Sequence, residues 1–312
     1  MSKLIVTAAI TGGVHVPSLS PYLPSTPDAI VEQAVGAAHA GAAVVHIHAR
    51  DPKDGRPSSD VALFRQIAAA IHDRCDAAIC VTTGGGLGMS PEERVKPIGV
   101  LRPELASLNA GSMNFAIHPL ADKIKTPLHE WEIPYLQSTE DLIFPNTFRS
   151  IKVFTKAMHA AGTKPELEIY DVGMINNVKY LLDTGVLKAP LYIQFVLGIL
   201  GGIPATPENL VFMVETARKT LGAENFVWSC CAAGRAQLPL TCVAMALGGN
   251  VRVGLEDNLY LGPGRLAQSS AEQVAAIIRI ATELSLEIAT PDEARRSLGL
   301  KGRAGVGWTV AA

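Results

Sequence analysis

The chain has 312 residues, of which 48% are hydrophobic, 18% charged and 5% aromatic, and its formal net charge is −2. This composition is typical of a globular protein with a sizeable core, and without a basic cluster or an aromatic stacking surface no nucleic-acid partner is expected. The most apolar run, residues 191–200, has about half of the ~20 residues that a bilayer requires, so no membrane partner is expected.

Cysteine use and the amino terminus both indicate a cytoplasmic protein. The five cysteines are scattered without CxxC spacing, which fits a reducing cytosol. The first residues run straight into an apolar strand, without a charged leader and a small-residue cleavage site, so secretion is not expected. The adjacent Cys230 and Cys231 lie in an apolar run, and we interpret them as packing residues.

Short β-branched runs alternate with longer amphipathic segments, a pattern that predicts repeated βα units around a parallel sheet. The predicted strands are residues 4–11, 43–49, 77–83, 105–109, 166–171, 191–197, 226–231 and 250–256. The predicted helices are residues 27–40, 59–74, 91–101, 151–161, 174–184, 207–221, 238–247 and 271–286.

Eight such units in roughly 290 residues match the count and size of a (β/α)8 barrel. An open, doubly wound sheet uses the same units, but the GxGxxG dinucleotide fingerprint is missing from the sequence. We therefore expect an α/β protein with a single TIM-barrel domain over residues 1–312. The irregular stretch 116–146 is predicted to be an insertion in the fourth βα connection, acting as a lid or an oligomer contact.

Functional side chains of such a barrel collect at the carboxyl ends of its strands. His46 and His48 are two residues apart at the end of the second strand, so both imidazoles face the barrel axis. This spacing predicts a divalent metal site that needs a carboxylate as a further ligand. Glu256 is the leading candidate because the eighth strand closes near the second, and Glu168 on the opposite side is the second choice. The alternatives are neutral histidines held by backbone bonds, and an ion pair between Glu256 and Arg252.

Asp257 and Arg252 predict an acid–base pair beside the metal. The guanidinium would hold the orientation of the carboxylate while the carboxylate takes a proton. In a continuous strand Asp257 would point away from Arg252, so the pair requires the chain to turn after the strand. If the pair lay away from the metal, it would have only a structural role.

Three glycines, residues 84–86, follow the third strand. Their N–H groups can bind a carboxylate, with Thr82, Thr83 and Asn109 as additional donors. The alternative is a tight turn that needs glycine for its shape. His15, in the loop after the first strand, is a candidate for substrate contact.

Six segments of the chain resemble those of the β-keto acid cleavage enzymes, over nearly its whole length. They read TAAITG, HIHAR, TGG, LNAGSMNF, IQFVLG and GLEDN and begin at residues 7, 46, 83, 108, 193 and 254. The two-histidine and Glu-Asp-Asn segments in their correct order make the resemblance specific. It implies a homotetrameric (β/α)8 barrel that converts a 3-keto acid and acetyl-CoA into acetoacetate and a new CoA ester by Claisen and retro-Claisen chemistry.

The resemblance also implies roles for single residues. Zinc would be held by His46, His48 and Glu256, and would stabilise the negative charge that develops on the ketone oxygen. Asp257 and Arg252 would form the catalytic acid–base dyad. The residues that would bind the carboxylate end of the keto acid are Thr82, Gly85, Ser107 and Asn109, and a further acidic pocket position matches Glu168.

Two positions depart from the pattern of the family. The branch that acts on 3-keto-5-aminohexanoate has an acidic residue where this chain has Val14, so the contact for a substrate ammonium is missing. A hydrophobic or hydroxylated acyl tail is expected instead, with a contribution from His15. Asn250 replaces a histidine that is common before the last strand.

Two other functions stay open at this point. One is another metal-dependent barrel enzyme, such as an aldolase or an amidohydrolase, although amidohydrolases usually place their paired histidines on the first strand. The other is a metal-binding barrel without catalytic activity.

Overall fold

A computed structural model of the chain describes residues 3–85 and 89–308, and within these ranges eight parallel strands close into a barrel. The strands are β1 Val6–Ala9, β2 Val44–Ile47, β3 Ala78–Val81, β4 Leu105–Asn109, β5 Lys164–Ile169, β6 Leu191–Leu197, β7 Phe226–Ala232 and β8 Asn250–Val253. They follow one another around the barrel in chain order, and β1 closes it by pairing with both β2 and β8. The predicted (β/α)8 barrel is confirmed.

Helices cover the outside of the barrel. They are α1 Pro27–His39, α2 Val61–Arg74, α3 Pro91–Leu101, α4 Glu132–Gln137, α5 Phe148–Ala161, α6 Val172–Asp183, α7 Pro207–Leu221, α8 Gln237–Ala246, α9 Ser270–Glu283 and α10 Pro291–Leu298. Most of them begin after a side chain that accepts a hydrogen bond from the first turn, as Thr26 does for α1 and Asp171 for α6. No helix of the described ranges has the length and apolar character needed to cross a membrane.

Alternation along the strands divides the core into two layers. Outward residues such as Ile47 pack between the strands and the helices. Inward residues at the amino-terminal end of the barrel, such as Val44 and Tyr192, pack against Leu298 of α10. This last helix therefore closes the end of the barrel opposite the strand carboxyl ends.

The fourth βα connection carries the predicted insertion. Its strand Ile143–Phe144 pairs with Met113–Asn114, and α4 packs in a small apolar cluster of its own. The Trp131 Nε1–H group donates to the Asp54 carbonyl at 3.1 Å, and the Tyr135 hydroxyl donates to the Gly13 carbonyl at 2.7 Å. The insertion is thus bound to the loops that follow β1 and β2, and it forms one wall above the barrel.

The last strand is three residues shorter than predicted, because the chain turns at Gly254. Its φ angle is +148°, and a Cβ atom there would lie 2.7 Å from the backbone N and C atoms of Ala9. The N–H groups of Asp257 and Asn258 both donate to the Gly254 carbonyl, at 3.2 and 3.1 Å. Only glycine permits this approach, and Glu256 and Asp257 therefore lie on a turn rather than on the strand.

A substitution at Leu298 tests whether α10 closes the end of the barrel. The side chain of Leu298 is 2% exposed, so Leu298→Ala is expected to lower the free energy of unfolding by about 2–5 kcal/mol through lost burial and a cavity. Urea denaturation measures this loss. Leu284→Ala, at a position 48% exposed, is the matched control and should change stability by about 0.5 kcal/mol or less. Equal losses for the two variants would contradict a closing role for α10.

Candidate active site

Two histidines and a carboxylate meet at the carboxyl ends of β2 and β8. The rings of His46 and His48 have centroids 5.1 Å apart. The Oε1 atom of Glu256 lies 3.6 Å from Nε2 of His46 and 3.4 Å from Nε2 of His48. All three side chains are buried, and one ligand atom from each lies within 4.8 Å of the others. The structure thus brings together the three residues predicted to hold a metal.

The chemistry of these donors fits a divalent cation. Burial lowers the pKa of His46 well below its ordinary value, so the ring is neutral and offers a lone pair. The Oε2 atom of Glu256 is buried and has no hydrogen-bond partner among the described residues. An unpaired carboxylate oxygen is costly in a protein interior, and a cation between the three groups would satisfy it. Two nitrogens and one oxygen with an open side form a donor set typical of catalytic metal sites.

Arg252, which points inward from β8, contacts three carboxylates. Its Nη2 atom donates to Glu256 Oε1 at 2.7 Å, and its Nε and Nη2 atoms donate to the two carboxylate oxygens of Asp257, both at 2.9 Å. Its Nη1 atom lies 3.5 Å from Oε1 of Glu168. The ion pair between Glu256 and Arg252 is therefore present together with the histidine contacts. The turn after β8 brings Asp257 back to Arg252, as the acid–base pair requires.

The carboxyl groups around Arg252 differ in their proton affinity. Burial acts to raise the pKa of Glu256, but Arg252, His48 and His46 outweigh it and hold that pKa well below its ordinary value. Burial raises the pKa of Asp257, although Arg252 opposes the shift. Burial also raises the pKa of Glu168 to about 7. Neighbouring carboxyl groups with separated pKa values suit different roles, an ionised ligand and a stronger base.

A cavity of about 300 Å³ opens above these groups. Its apolar wall comes largely from the insertion and the ends of β5 and β6, with Val14, Phe115, Ile117, Leu142, Phe144, Tyr170, Val196 and Ile199. On its polar side, Nδ2 of Asn109 is buried and has no hydrogen-bond partner in residues 3–85 and 89–308. Nη1 of Arg252 is also buried and makes only the 3.5 Å ion-pair contact with Glu168 there. Such N–H groups are suited to binding the oxygens of a small acid.

Most residues predicted to contact the substrate line this cavity, namely Val14, Thr82, Gly85, Asn109 and Glu168. Ser107 and His15 lie behind its wall. The Ser107 hydroxyl accepts from the Thr83 N–H at 3.3 Å, which fixes the loop after β3. The His15 Nδ1 atom lies 3.1 Å from the Leu255 carbonyl, next to Glu256 in the chain. Both residues can therefore position their neighbours in the loop after β3 and in the turn after β8.

In the loop after β3, one glycine is required for the shape of the turn, as the alternative to an anion-binding loop predicts. Gly85 has a φ angle of +65°, and a Cβ atom there would lie 2.8 Å from Cγ of Arg94. The Thr82 hydroxyl accepts from the N–H of Gly84 at 2.9 Å. Gly86, the third glycine of the predicted anion-binding loop, lies outside the described residues.

Sequence reasoning missed two residues that support Glu256. Arg50 is fully buried and donates to the hydroxyl of Thr11 and to the carbonyls of Gly12 and His15, which holds the loop after β1 in place. A Cβ atom on Gly12 would lie 2.8 Å from Cδ of Glu256, so this loop packs directly on the carboxylate. The sequence could have indicated Arg50, because it follows His48 by two residues and its side chain is therefore expected to point inward like those of the two histidines.

Comparisons with known proteins show the family to which the chain is related. A family model described as beta-keto acid cleavage enzyme matches residues 3–300. The chain is 47% identical over 302 residues to a 3,5-dioxohexanoate:acetyl-CoA acetone transferase of Paraburkholderia graminis, with 97% of each chain covered. It is 38% identical over 302 residues to a 3-keto-5-aminohexanoate cleavage enzyme of Fusobacterium nucleatum, with 96% of this chain and 99% of that one covered.

Solved structures share the barrel at lower sequence identity. The binary complex of ObcA with oxaloacetate superposes with a TM-score of 0.71 at 22% identity, over 91% of this chain and 68% of that longer one. This likeness supports the fold alone.

Gly12 tests the packing of the first loop on Glu256. Gly12→Ala is expected to weaken the binding of Zn²⁺ by about tenfold or more, because the added methyl group displaces the carboxylate that is predicted to hold the metal. Competition with a chromophoric chelator measures this affinity. Gly36→Ala in α1 is the matched control, since its Cβ atom would only reach ordinary contact at 3.9 Å from Ala271. A folded Gly12→Ala protein with the affinity of the wild type would refute the proposed packing constraint.

Proposed function

The chain belongs to the β-keto acid cleavage enzyme family, and we propose that it is a zinc-dependent transferase that converts a 3-keto acid and acetyl-CoA into acetoacetate and a new acyl-CoA. One observation carries the proposal: the His46, His48 and Glu256 group lies beside an arginine-bound Asp257 at the base of one cavity. A homotetramer and a cytoplasmic location complete the proposal, as the resemblance and the cysteine pattern indicate.

The reaction exchanges an acyl group between carbon and sulfur. C2 of the keto acid loses a proton and forms a bond with the acetyl carbonyl carbon, and CoA leaves as a thiolate. The thiolate then attacks the original C3 carbonyl, the bond between C2 and C3 breaks, and C2 takes back a proton. Acetoacetate and the new acyl-CoA together contain all the atoms of the two substrates, so the chemistry requires one proton acceptor and no redox partner.

Asp257 is the proposed proton acceptor. Both of its carboxylate oxygens accept hydrogen bonds from Arg252 at 2.9 Å, which fixes their orientation, and burial raises the pKa of the carboxyl group. Zinc bound to His46, His48 and Glu256 would supply a Lewis acid for the ketone oxygen and so make the C2 proton more acidic. The Nδ2 group of Asn109, which has no hydrogen-bond partner in the described residues, would bind the substrate carboxylate, together with the loop at Thr82 and Gly85.

An uncharged acyl tail suits the outer part of the cavity. Val14, Phe115 and Ile199 belong to its wall and offer no charge to a tail group. The Paraburkholderia relative is named for 3,5-dioxohexanoate, whose tail beyond C3 is uncharged, whereas other relatives are named for an amino-substituted acid and for 3-oxoadipate. A charged tail would lose hydration against these apolar side chains. We therefore place 3,5-dioxohexanoate first among the candidate substrates.

A coupled assay tests the reaction class. Incubation with 3,5-dioxohexanoate and acetyl-CoA should produce acetoacetate and a new acyl-CoA in equal amounts, and neither product without acetyl-CoA. Release of a free acid without a CoA ester would indicate a hydrolase instead. Absence of acetoacetate with every 3-keto acid of a panel would refute the proposal.

Asp257→Asn tests the proton acceptor in the same assay. The variant is expected to lower kcat by about 10²–10⁴-fold, because the amide cannot take the C2 proton, while bound zinc stays at the wild-type amount. Asp183→Asn, which alters an aspartate paired with Lys179 on the surface, should keep full activity. An Asp257→Asn enzyme with wild-type kcat would exclude Asp257 as the base.

Val14 tests the tail specificity. The wild type is expected to have a kcat/KM for 3,5-dioxohexanoate at least about tenfold above that for 3-keto-5-aminohexanoate, since the ammonium group has no acidic partner at this position. Val14→Glu should narrow this ratio by adding a carboxylate to the wall, and Val14→Gln, which has nearly the same size, should not. The same ratio for the glutamate and glutamine variants would show that charge at residue 14 does not select the tail.

A further inference from the structure

A chain of buried polar groups lies beneath His46, on the side away from Glu256. Cys80 on β3 is the register partner of His46, and its Sγ atom lies 3.4 Å from the Nδ1 atom of the ring. The same thiol donates to Oε1 of Glu166 on β5, at 4.0 Å. All three side chains are at most 1% exposed. The reaction proposed above uses neither Cys80 nor Glu166.

The order of these contacts determines which ring nitrogen carries the proton. A neutral imidazole has one N–H group and one lone pair, whereas a thiol can accept at sulfur and donate its own proton. The S–H group of Cys80 is used in the bond to Oε1 of Glu166, which leaves the sulfur as an acceptor for the ring. The Nδ1–H group of His46 can therefore donate to Cys80, whose S–H group donates to Glu166. The Nε2 lone pair of His46 then faces Glu256.

We propose that Cys80 and Glu166 are positioning residues for His46, which hold its ring orientation and its tautomer so that Nε2 is free to bind the metal. The inference rests on the metal centre of the proposed function. Partners of this kind behind a metal ligand commonly contribute about 10–100-fold in metal affinity.

The hydrogen bonds of Glu166 leave part of its carboxyl group without a partner among the described residues. Its Oε2 atom is buried and has no hydrogen-bond partner in the described part of the chain, and an unpaired buried oxygen is destabilising. A carboxyl group retained only for folding would be better replaced by an apolar side chain. Its contact with the thiol behind His46 offers a reason for its presence.

The same three residues form a second possible ligand group, because one atom from each lies within 4.8 Å of the others. Access from the cavity distinguishes the two groups. His48 and Glu256 line the cavity and are 9% and 8% exposed, whereas Cys80 and Glu166 are 0% exposed. A cation from solvent reaches the first group directly.

Three cysteine variants test the relay through the affinity of the purified protein for Zn²⁺, measured by competition with a chromophoric chelator. Cys80→Ala should weaken binding by about 10–100-fold, and Cys80→Ser, which keeps a donor and an acceptor, should restore most of the affinity. Cys230→Ala is the matched control, because Cys230 is equally buried but packs in the layer between strands and helices. It should bind Zn²⁺ with an affinity close to that of the wild type.

The Glu166→Leu variant distinguishes a role of Glu166 in positioning His46 from a role in folding. The variant should weaken Zn²⁺ binding by about tenfold without lowering the thermal midpoint of the metal-free protein. Loss of stability in the metal-free protein with unchanged Zn²⁺ affinity would assign Glu166 a structural role and overturn its part of the relay.

Cobalt substitution distinguishes the remaining outcomes. The wild type loaded with Co²⁺ should show visible ligand-field bands without a thiolate charge-transfer band. A charge-transfer band that disappears in Cys80→Ala would make Cys80 a ligand and overturn the relay. If wild-type protein binds metal through His46 and Cys80→Ala binds it equally well, the relay fails and the proposed function stands. If wild-type protein binds no metal, the metal centre and the relay fail together.

Discussion

The site depends on the ion pairs that the buried guanidinium group of Arg252 makes with its neighbours. This group contacts Glu168, Glu256 and Asp257, three carboxylates that would repel one another inside the barrel without a central cation. Burial alone would favour the protonated form of each. The contacts of Arg252 and the two histidines keep Glu256 ionised, while Asp257 and Glu168 retain a raised pKa. One buried positive charge thus allows the proposed metal ligand and the proposed base to lie side by side.

Close backbone packing gives these side chains their positions. Gly254 lets the chain turn against Ala9, and this turn carries Glu256 and Asp257 back toward Arg252. On the other side, Arg50 holds the loop after β1 through a hydroxyl and several carbonyl groups, so that Gly12 packs on Glu256. The carboxylate is therefore confined between two loops whose geometry requires glycine, and it has little freedom to leave the histidines.

The reacting groups of the proposed function and its proposed tail-binding wall come from different parts of the fold. The polar groups project from the ends of barrel strands, whose register is maintained by hydrogen bonds around the whole sheet. The apolar wall comes in good part from the insertion between Met113 and Phe144 and from the loop at Val14. Loops tolerate substitution better than barrel strands do. In the proposed function, substitutions in these loops would change the accepted acyl tail while the reacting groups stay the same.

The local pattern of the sequence determined much of the fold. Period-2 alternation and helical periodicity predicted eight βα units, the insertion and the inward direction of His46 and His48, because each depends on residues close together in the chain. Strand limits differed by up to three residues where glycine or the start of a turn ended the pairing, as at Gly254.

Only the tertiary structure decided which distant side chains meet. Periodicity gives the direction of a side chain relative to its own backbone, and it carries no information about what that side chain contacts across the barrel. The contact between Arg252 and Glu168, the thiol of Cys80 behind His46, and the places of Ser107 and His15 behind the cavity wall all join residues from different strands and loops. Closure of the barrel brings them together, so their partners follow from the completed fold and from no single segment of the sequence.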